Sequence, residues 1–92
     1  APIMEVKDFE DAIKKINDTN FALNAAIMTK DMDIASKFSM LVHTGGVRIN
    51  LAPGYRSENV PFGGNKQSGF GRSGVWPSVL EMTNIKTIIS RL

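Results

Sequence analysis

The sequence predicts an α/β fold in which a partial parallel-type sheet is accompanied by helices. Three short, largely apolar segments, at 3–6, 25–29 and 47–50, have the length and composition of strands. Two longer segments between them repeat apolar residues at helical spacing. Strands that alternate with helices are typical of parallel pairing, because a crossover helix lets the chain start the next strand in the same direction.

The first helix is predicted to begin after Asp8, because an N-cap carboxylate accepts hydrogen bonds from the free amides of the first turn. Apolar residues then recur at i, i+3, i+4 and i+7, which gives the helix one apolar face. The polar run 17–20 ends the helix. The apolar face consists of Phe9, Ala12, Ile13 and Ile16.

The second helix is predicted to begin after Asp31, for the same reason. Gly45 or Gly46 is expected to stop it in the left-handed cap position, which glycine adopts without strain. The third strand then follows at 47–50. The apolar stripe of the helix consists of Ile34, Ala35, Phe38, Leu41 and Val42.

The last part of the chain is predicted to contain two loops, a short helix and a β-rich end. The loop 51–60 follows the third strand, and the glycine-rich loop 61–74 holds most of the chain's eight glycines. Ser73 is a candidate N-cap for a helix with Pro77 in its first turn, where proline is tolerated. Residues 86–91 are predicted as a final strand-like segment.

A literal G-x-G-x-x-G pattern occupies residues 69–74. In dinucleotide-binding proteins this pattern follows a buried strand, and an acidic residue about 20 positions further on binds the ribose. Here the preceding residues 65–68 are polar, and no Asp or Glu follows Glu81. We therefore interpret these glycines as turn-forming residues rather than as a phosphate site.

The glycine-rich loop and the residues after it resemble the C-terminal signature of the aldehyde dehydrogenase superfamily. The loop reads P-F-G-G-x-K-x-S-G-x-G-R, and E-M-T follows at 81–83. The segments 2–8, 11–13, 17–19, 23–31 and 45–50 are also similar to that family, in the same order. The resemblance implies that residues 1–84 are the C-terminal part of the catalytic domain and that residues 85–92 are a terminal oligomerisation strand.

Most of the catalytic machinery that the resemblance implies lies outside this chain. In the family, a cysteine nucleophile, a glutamate general base and a domain that binds NAD or NADP precede the matched residues, and this chain has no cysteine. The chain is then a C-terminal fragment of an NAD(P)-dependent aldehyde dehydrogenase, which oxidises an aldehyde to a carboxylic acid through a cysteine thiohemiacetal. We expect no catalytic, cofactor-binding or metal-binding residue in the chain, and no activity of the fragment alone.

The resemblance also implies which residues contribute to the substrate site. Phe62 is similar to the aromatic residue that lines the substrate tunnel, and a core phenylalanine that anchors the loop is the alternative. The segment that shapes the substrate entrance includes Leu51, Tyr55 and Arg56. A guanidinium binds carboxylate or phosphate groups with two parallel hydrogen bonds, so Arg56 suits an anionic aldehyde, or else it pairs with Glu58. Three residues are expected to be structural near the site: Asn50, Gly63 and Gly64.

The remaining polar candidates are expected to be structural. Lys66 and Arg72 have no titratable partner close in sequence, so we expect them to bind backbone carbonyls. His43 is a weak metal-ligand candidate, because the chain has no second His and no Cys. Ser68 and Ser73 have no neighbouring His and do not fit G-x-S-x-G, so we expect no serine nucleophile.

Charge and hydropathy limit the classes of partner. The net charge is +2 with scattered Lys and Arg, which does not favour nucleic acid. No apolar run is long enough to span a bilayer, and no signal peptide is recognisable, so we expect a cytoplasmic protein. The expected partners are the rest of the parent chain, a small aldehyde substrate, and further copies in a homo-oligomer formed through the C-terminal strand.

Two other functions remain compatible with these residues. One is a freestanding small α/β interaction module without catalytic activity. The other is a member of the superfamily that forms acyl-CoA or reduces acyl phosphates, because the residues that decide between these reactions are absent from this chain.

Overall fold

A parallel pair of strands joined by a helix forms the centre of the computed structural model, which describes residues 1–91. The helices are α1 (Phe9–Asn17), α2 (Met32–Leu41) and α3 (Val75–Glu81). The strands are β1 (Phe21–Ala22), β2 (Asn24–Ile27), β3 (Gly46–Ile49) and β4 (Asn65–Lys66). The expected α/β class with a small partial sheet is confirmed.

The central unit is β2–α2–β3. Strands β2 and β3 are parallel, in a register that runs from Asn24 opposite Gly46 to Ile27 opposite Ile49. Helix α2 contributes two of the four buried apolar residues to the small core. These four residues are Ala22, Ala35, Phe38 and Val42. The predicted parallel pairing is therefore confirmed.

Two of the three predicted N-caps, Asp8 and Asp31, are present. The Asp8 carboxylate accepts a hydrogen bond from the Asp11 amide at 2.8 Å. The Asp31 carboxylate accepts from the amides of Asp33 and Ile34, at 2.9 and 3.1 Å. Each cap satisfies amides that have no partner inside the helix, which fixes where the helix begins.

The prediction that a glycine in the left-handed conformation ends α2 is wrong. The helix is capped by Val42, whose backbone is extended at φ −82° and ψ 127°, and neither Gly45 nor Gly46 has a positive φ. Instead, the Gly45 and Gly46 amides donate to the carbonyls of Ala22 and Leu23, both at 3.0 Å. These bonds tie the start of β3 to the β1–β2 segment, so the glycines belong to the sheet rather than to the helix end.

The start of α3 also differs from the prediction. Its N-cap is Gly74, at φ 137°, and no side chain caps the helix. The Ser73 hydroxyl donates instead to the Phe62 carbonyl at 3.2 Å, because Ser73 pairs with Phe62 in an isolated antiparallel bridge. Pro77 is the third residue of α3, so its predicted place in the first turn is confirmed.

Strands β1 and β4 form an antiparallel pair that the sequence pattern did not indicate. Phe21 lies opposite Lys66, and Ala22 lies opposite Asn65. The Ser68 hydroxyl extends the pair by accepting from the Ala22 amide at 2.8 Å, across 46 residues of sequence. This pair attaches the glycine-rich loop to the segment that follows α1.

The two predicted terminal strands are absent from the described residues. Residues 3–6 and 86–91 form no strand, and Ile3, Ile88 and Ile89 are 99%, 83% and 92% exposed. A strand needs a neighbouring strand for its backbone groups, and residues 1–91 provide none beside either segment. Leu92, the last residue of the expected oligomerisation strand, lies outside the described residues. Within 1–91, no helix combines the length and the apolar character that crossing a membrane requires.

Candidate functional site

Two loops lie beside each other at the end of β3 and carry most of the expected site residues. The loop 51–60 contains Leu51, Tyr55 and Arg56, and the glycine-rich loop 61–74 contains Phe62. The first loop is held near the sheet because the Arg48 Nε donates to the Tyr55 carbonyl at 2.9 Å. Arg48 lies on β3, so a strand residue sets the position of the loop.

Leu51 and Tyr55 line a common open cavity of about 260 Å³. Its floor is formed by β3 residues 47–49, and the remaining lining comes from both loops. Leu51 and Tyr55 were expected at this site from the sequence, whereas Arg48 was not. A single charged residue within the apolar strand V-R-I was the available signal for Arg48. The other lining residues are Ser57, Val60 and Pro61.

Arg56 and Phe62 form a stacked pair. The Arg56 guanidinium carbon lies 4.6 Å from the centre of the Phe62 ring, which is cation–π geometry. Within residues 1–91 the ion pair present is Lys15–Asp11, so the alternative partner Glu58 does not pair with Arg56. Phe62 is partly buried, and its side chain is not among those lining the cavity of Leu51 and Tyr55. The structure therefore brings the four residues into two adjacent groups rather than into one cavity.

Asn50 fixes the point where β3 ends and the first loop begins. It has a positive φ of 56°, a conformation that asparagine tolerates better than most residues. Its side-chain oxygen accepts from the Thr29 amide, and its side-chain nitrogen donates to the Thr29 carbonyl, both at 2.8 Å. Its own amide donates to the Ile27 carbonyl at 2.8 Å. Asn50 thus joins the ends of β2 and β3.

Gly63 and Gly64 lie where two parts of the backbone come too close for a side chain. A Cβ at Gly63 would lie 2.7 Å from the Gly71 carbonyl oxygen and 2.9 Å from the Arg72 Cδ. A Cβ at Gly64 would lie 2.8 Å from the carbonyl oxygen of Ser68. The two glycines therefore allow the glycine-rich loop to fold back against itself.

The expectation that Lys66 and Arg72 bind backbone carbonyls is confirmed. The Lys66 ammonium donates to the carbonyls of Asn17 and Thr19, at 2.9 and 2.7 Å, at the C-terminal end of α1. The Arg72 guanidinium donates to the carbonyls of Gly64 and Gly71, at 3.0 and 2.7 Å. A cation at a helix C-terminus also interacts favourably with the helix dipole, so Lys66 connects the glycine-rich loop to α1.

The remaining candidates show no arrangement for nucleophilic or metal chemistry. His43 is exposed just beyond α2, and its amide donates to the Asn17 side chain at 2.8 Å. Ser68 and Ser73 are engaged with the Ala22 amide and the Phe62 carbonyl. In the part of the chain that the structure describes, no group of three or more His, Cys, Asp or Glu residues is placed to hold a metal ion.

The known proteins that this chain resembles are dehydrogenases that act on aldehydes. A lactaldehyde dehydrogenase of Methanococcus maripaludis is 42% identical over 88 residues, which are 96% of this chain and 19% of that protein. An NADP-dependent glyceraldehyde-3-phosphate dehydrogenase of Arabidopsis thaliana is 37% identical over 91 residues, 99% of this chain and 18% of that protein. The crystal structure of a glyceraldehyde-3-phosphate dehydrogenase from Methanocaldococcus jannaschii, complexed with NADP, aligns with a TM-score of 0.84 and 46% identity.

That alignment covers 89% of this chain and 18% of the crystallised one, so the chain spans less than a fifth of the relatives it matches. The fold neighbour and the relatives agree with each other on the family, and the family model for aldehyde dehydrogenases matches residues 1–88. The chain belongs to the aldehyde dehydrogenase family.

Proposed function

We propose that the chain is the C-terminal part of an NAD(P)-dependent aldehyde dehydrogenase. Residues 1–84 would complete the catalytic domain, and residues 85–92 would form the oligomerisation strand. The observation that carries the proposal is the family match over residues 1–88, together with a glycine-rich loop folded so that Phe62 stands beside the loop 51–60. The relatives are about five times longer than this chain, which leaves room for the catalytic cysteine and the cofactor domain elsewhere.

In this proposal the chain shapes the substrate site but supplies no reacting group. The sequence has no cysteine, so the thiolate that attacks the aldehyde comes from another part of the parent protein. NAD or NADP would supply the hydride acceptor, and the residues that would hold it lie in that other part of the parent protein. Leu51, Tyr55 and Phe62 would provide apolar contacts to the aldehyde, while Asn50, Gly63 and Gly64 would hold the two loops in place.

The described surface supports a larger parent assembly. The terminal segments, which form neither helix nor strand, expose apolar residues, and α3 exposes Trp76 and Val75. Such surfaces are usually covered by another part of a chain or by another subunit. The proposed partners are therefore the rest of the parent chain and, through 85–92, a further copy in a cytoplasmic homo-oligomer.

The first experiment is to express the full gene and to assay the product. We expect an intact mass several times the 10.1 kDa of these residues, an upstream cysteine, and reduction of NAD or NADP that depends on added aldehyde. Replacement of that cysteine by serine is the control, and it should abolish turnover. A product of only 92 residues, or a full-length product that oxidises no aldehyde, would contradict the proposal and favour a freestanding interaction module.

We further propose that the aldehyde carries an anionic group that binds Arg56. The guanidinium is held over the Phe62 ring and, within the described residues, forms no ion pair. An arginine that has no carboxylate partner among the described residues and directly follows the cavity-lining Tyr55 suits a phosphate or carboxylate. Two of the relatives are named for glyceraldehyde 3-phosphate, which carries a phosphate.

Arg56→Ala in the full-length enzyme tests this substrate class. A hydrogen bond to a charged group contributes about 1.5–3 kcal/mol, so we expect KM for an anionic aldehyde to rise by roughly ten- to a hundredfold. KM for a neutral aldehyde of similar length should rise much less, because it would be affected only through the Phe62 ring that Arg56 contacts. Lys37→Ala, which removes a positive charge from the exposed face of α2, is the control. Equal changes in KM for both aldehydes would mean that Arg56 has only a general structural effect.

A further inference from the structure

The glycine-rich loop is closed at its two ends by a pair of residues. The Phe62 amide donates to the Ser73 carbonyl at 2.8 Å, and the Ser73 amide donates to the Phe62 carbonyl at 2.7 Å. The Ser73 hydroxyl adds a third bond to the Phe62 carbonyl at 3.2 Å. Residues 62–65 and 71–73 form the two arms of the loop. The position of the Phe62 backbone therefore depends on how firmly these two arms are held together.

Arg72 joins these two arms with one side chain. Its Nη1 donates to the Gly64 carbonyl on the first arm at 3.0 Å and to the Gly71 carbonyl on the second at 2.7 Å. Its Nη2 donates to the Asn65 side-chain oxygen, again on the first arm. A guanidinium has donors in a rigid planar fork, so it can bind all three acceptors at once, which a lysine ammonium cannot do in the same geometry.

The contacts of Phe62 show how a shift of the arms would reach the substrate site. Gly63 packs so closely on Gly71 and Arg72 that no side chain fits between them. The Phe62 ring, one residue earlier, is held on one face by Arg56 at 4.6 Å. If the arms separate, the backbone that carries the ring shifts, and the ring moves relative to Arg56 on the neighbouring loop. The ring position therefore depends on the bonds that Arg72 makes.

We infer that Arg72 is a positioning residue for the aldehyde, which it affects through Phe62 without touching the substrate. This inference rests on the proposed function, because it requires that Phe62 contacts the aldehyde. It assigns Arg72 a specific effect on substrate binding, beyond the general support of a loop. The effect is confined to substrates that the Phe62 ring contacts.

A double-mutant cycle in the full-length enzyme tests the inference. When one residue acts through another, the effects of substituting the two residues are not additive. We therefore expect Arg72→Ala to raise KM for the aldehyde about tenfold in the wild-type background, but less than about twofold in the Phe62→Ala background. We expect kcat to change less than KM, because Arg72 does not touch the reacting atoms. Arg72→Lys, which keeps the charge, should behave like Arg72→Ala, and it replaces Arg72→Ala in the cycle if that variant does not fold.

Lys37→Ala is the charge control, and it should leave KM unchanged in both backgrounds. Three results would overturn the inference: KM rises equally for Arg72→Ala in both backgrounds, KM rises in neither background, or Arg72→Lys restores the wild-type KM. In each of these cases the wild-type enzyme still oxidises the aldehyde, so the proposed function is unaffected. A wild-type enzyme that oxidises no aldehyde would overturn both.

Discussion

Phe38→Ala is expected to cause the largest loss of stability among alanine substitutions of the buried apolar residues. Phe38 is 3% exposed, and it is by far the largest of the four buried apolar residues. Removing a buried phenylalanine ring costs about 3–5 kcal/mol, because the transfer free energy is lost and a cavity remains. The other three core residues, Ala22, Ala35 and Val42, are too small to fill that cavity. Helix α2 should therefore lose much of the packing that this small core provides.

Amide hydrogen exchange of α2 in the full-length protein measures this effect locally. We expect the free energy of opening of the α2 amides to fall by about 3–5 kcal/mol. The fall is smaller only if the free energy of global unfolding is itself less than this amount. Phe70→Ala is the matched control, because the Phe70 ring is fully exposed and lies in the glycine-rich loop. If both variants changed α2 exchange alike, the assignment of Phe38 as the centre of the core would be wrong.

Features that depend on neighbouring residues could be predicted from the sequence. Asp8 and Asp31 cap their helices because a cap involves only amides two or three positions away. The β2–α2–β3 unit followed from the alternation of apolar patterns, and the structure confirms it. The segments 3–6 and 86–91 form no strand within residues 1–91 because β structure requires a partner strand, and no pattern within a segment reveals whether that partner is present.

Apart from Arg48, the parts of the candidate site that were missed depend on contacts between residues far apart in the sequence. The β1–β4 pair is too short to have a periodic signal, and its partners are far apart in the sequence. Asn50 was expected to be structural, but its pairing with the Thr29 backbone depends on the register of β2 and β3. The sequence also does not reveal whether a glycine is needed at position 45 for a positive φ or because another part of the backbone passes close to it. The structure shows a close approach, with consequences for the loop that carries Phe62.

Gly45→Ala is expected to disrupt the junction between the sheet and the glycine-rich loop. A Cβ at Gly45 would overlap the Gly63 carbonyl oxygen, and it would lie 2.8 Å from the Gly63 carbonyl carbon and 3.0 Å from the Gly64 Cα. These are backbone atoms, so no side-chain rotation can relieve the overlap, and the loop or β3 must move. Overpacking of this kind costs about 1–3 kcal/mol, and occasionally more.

The displacement should be visible in both stability and substrate binding. Gly63 follows Phe62 directly, so movement of its carbonyl shifts the backbone that holds the Phe62 ring, and we expect KM for the aldehyde to rise together with faster amide exchange in β3. Gly54→Ala is the matched control, because a Cβ there would meet no atom within 4 Å. At such a position Gly→Ala is neutral or stabilises by about 0.4–1 kcal/mol through the unfolded state. Equal behaviour of the two alanine variants would show that β3 and the glycine-rich loop are not packed together through Gly45.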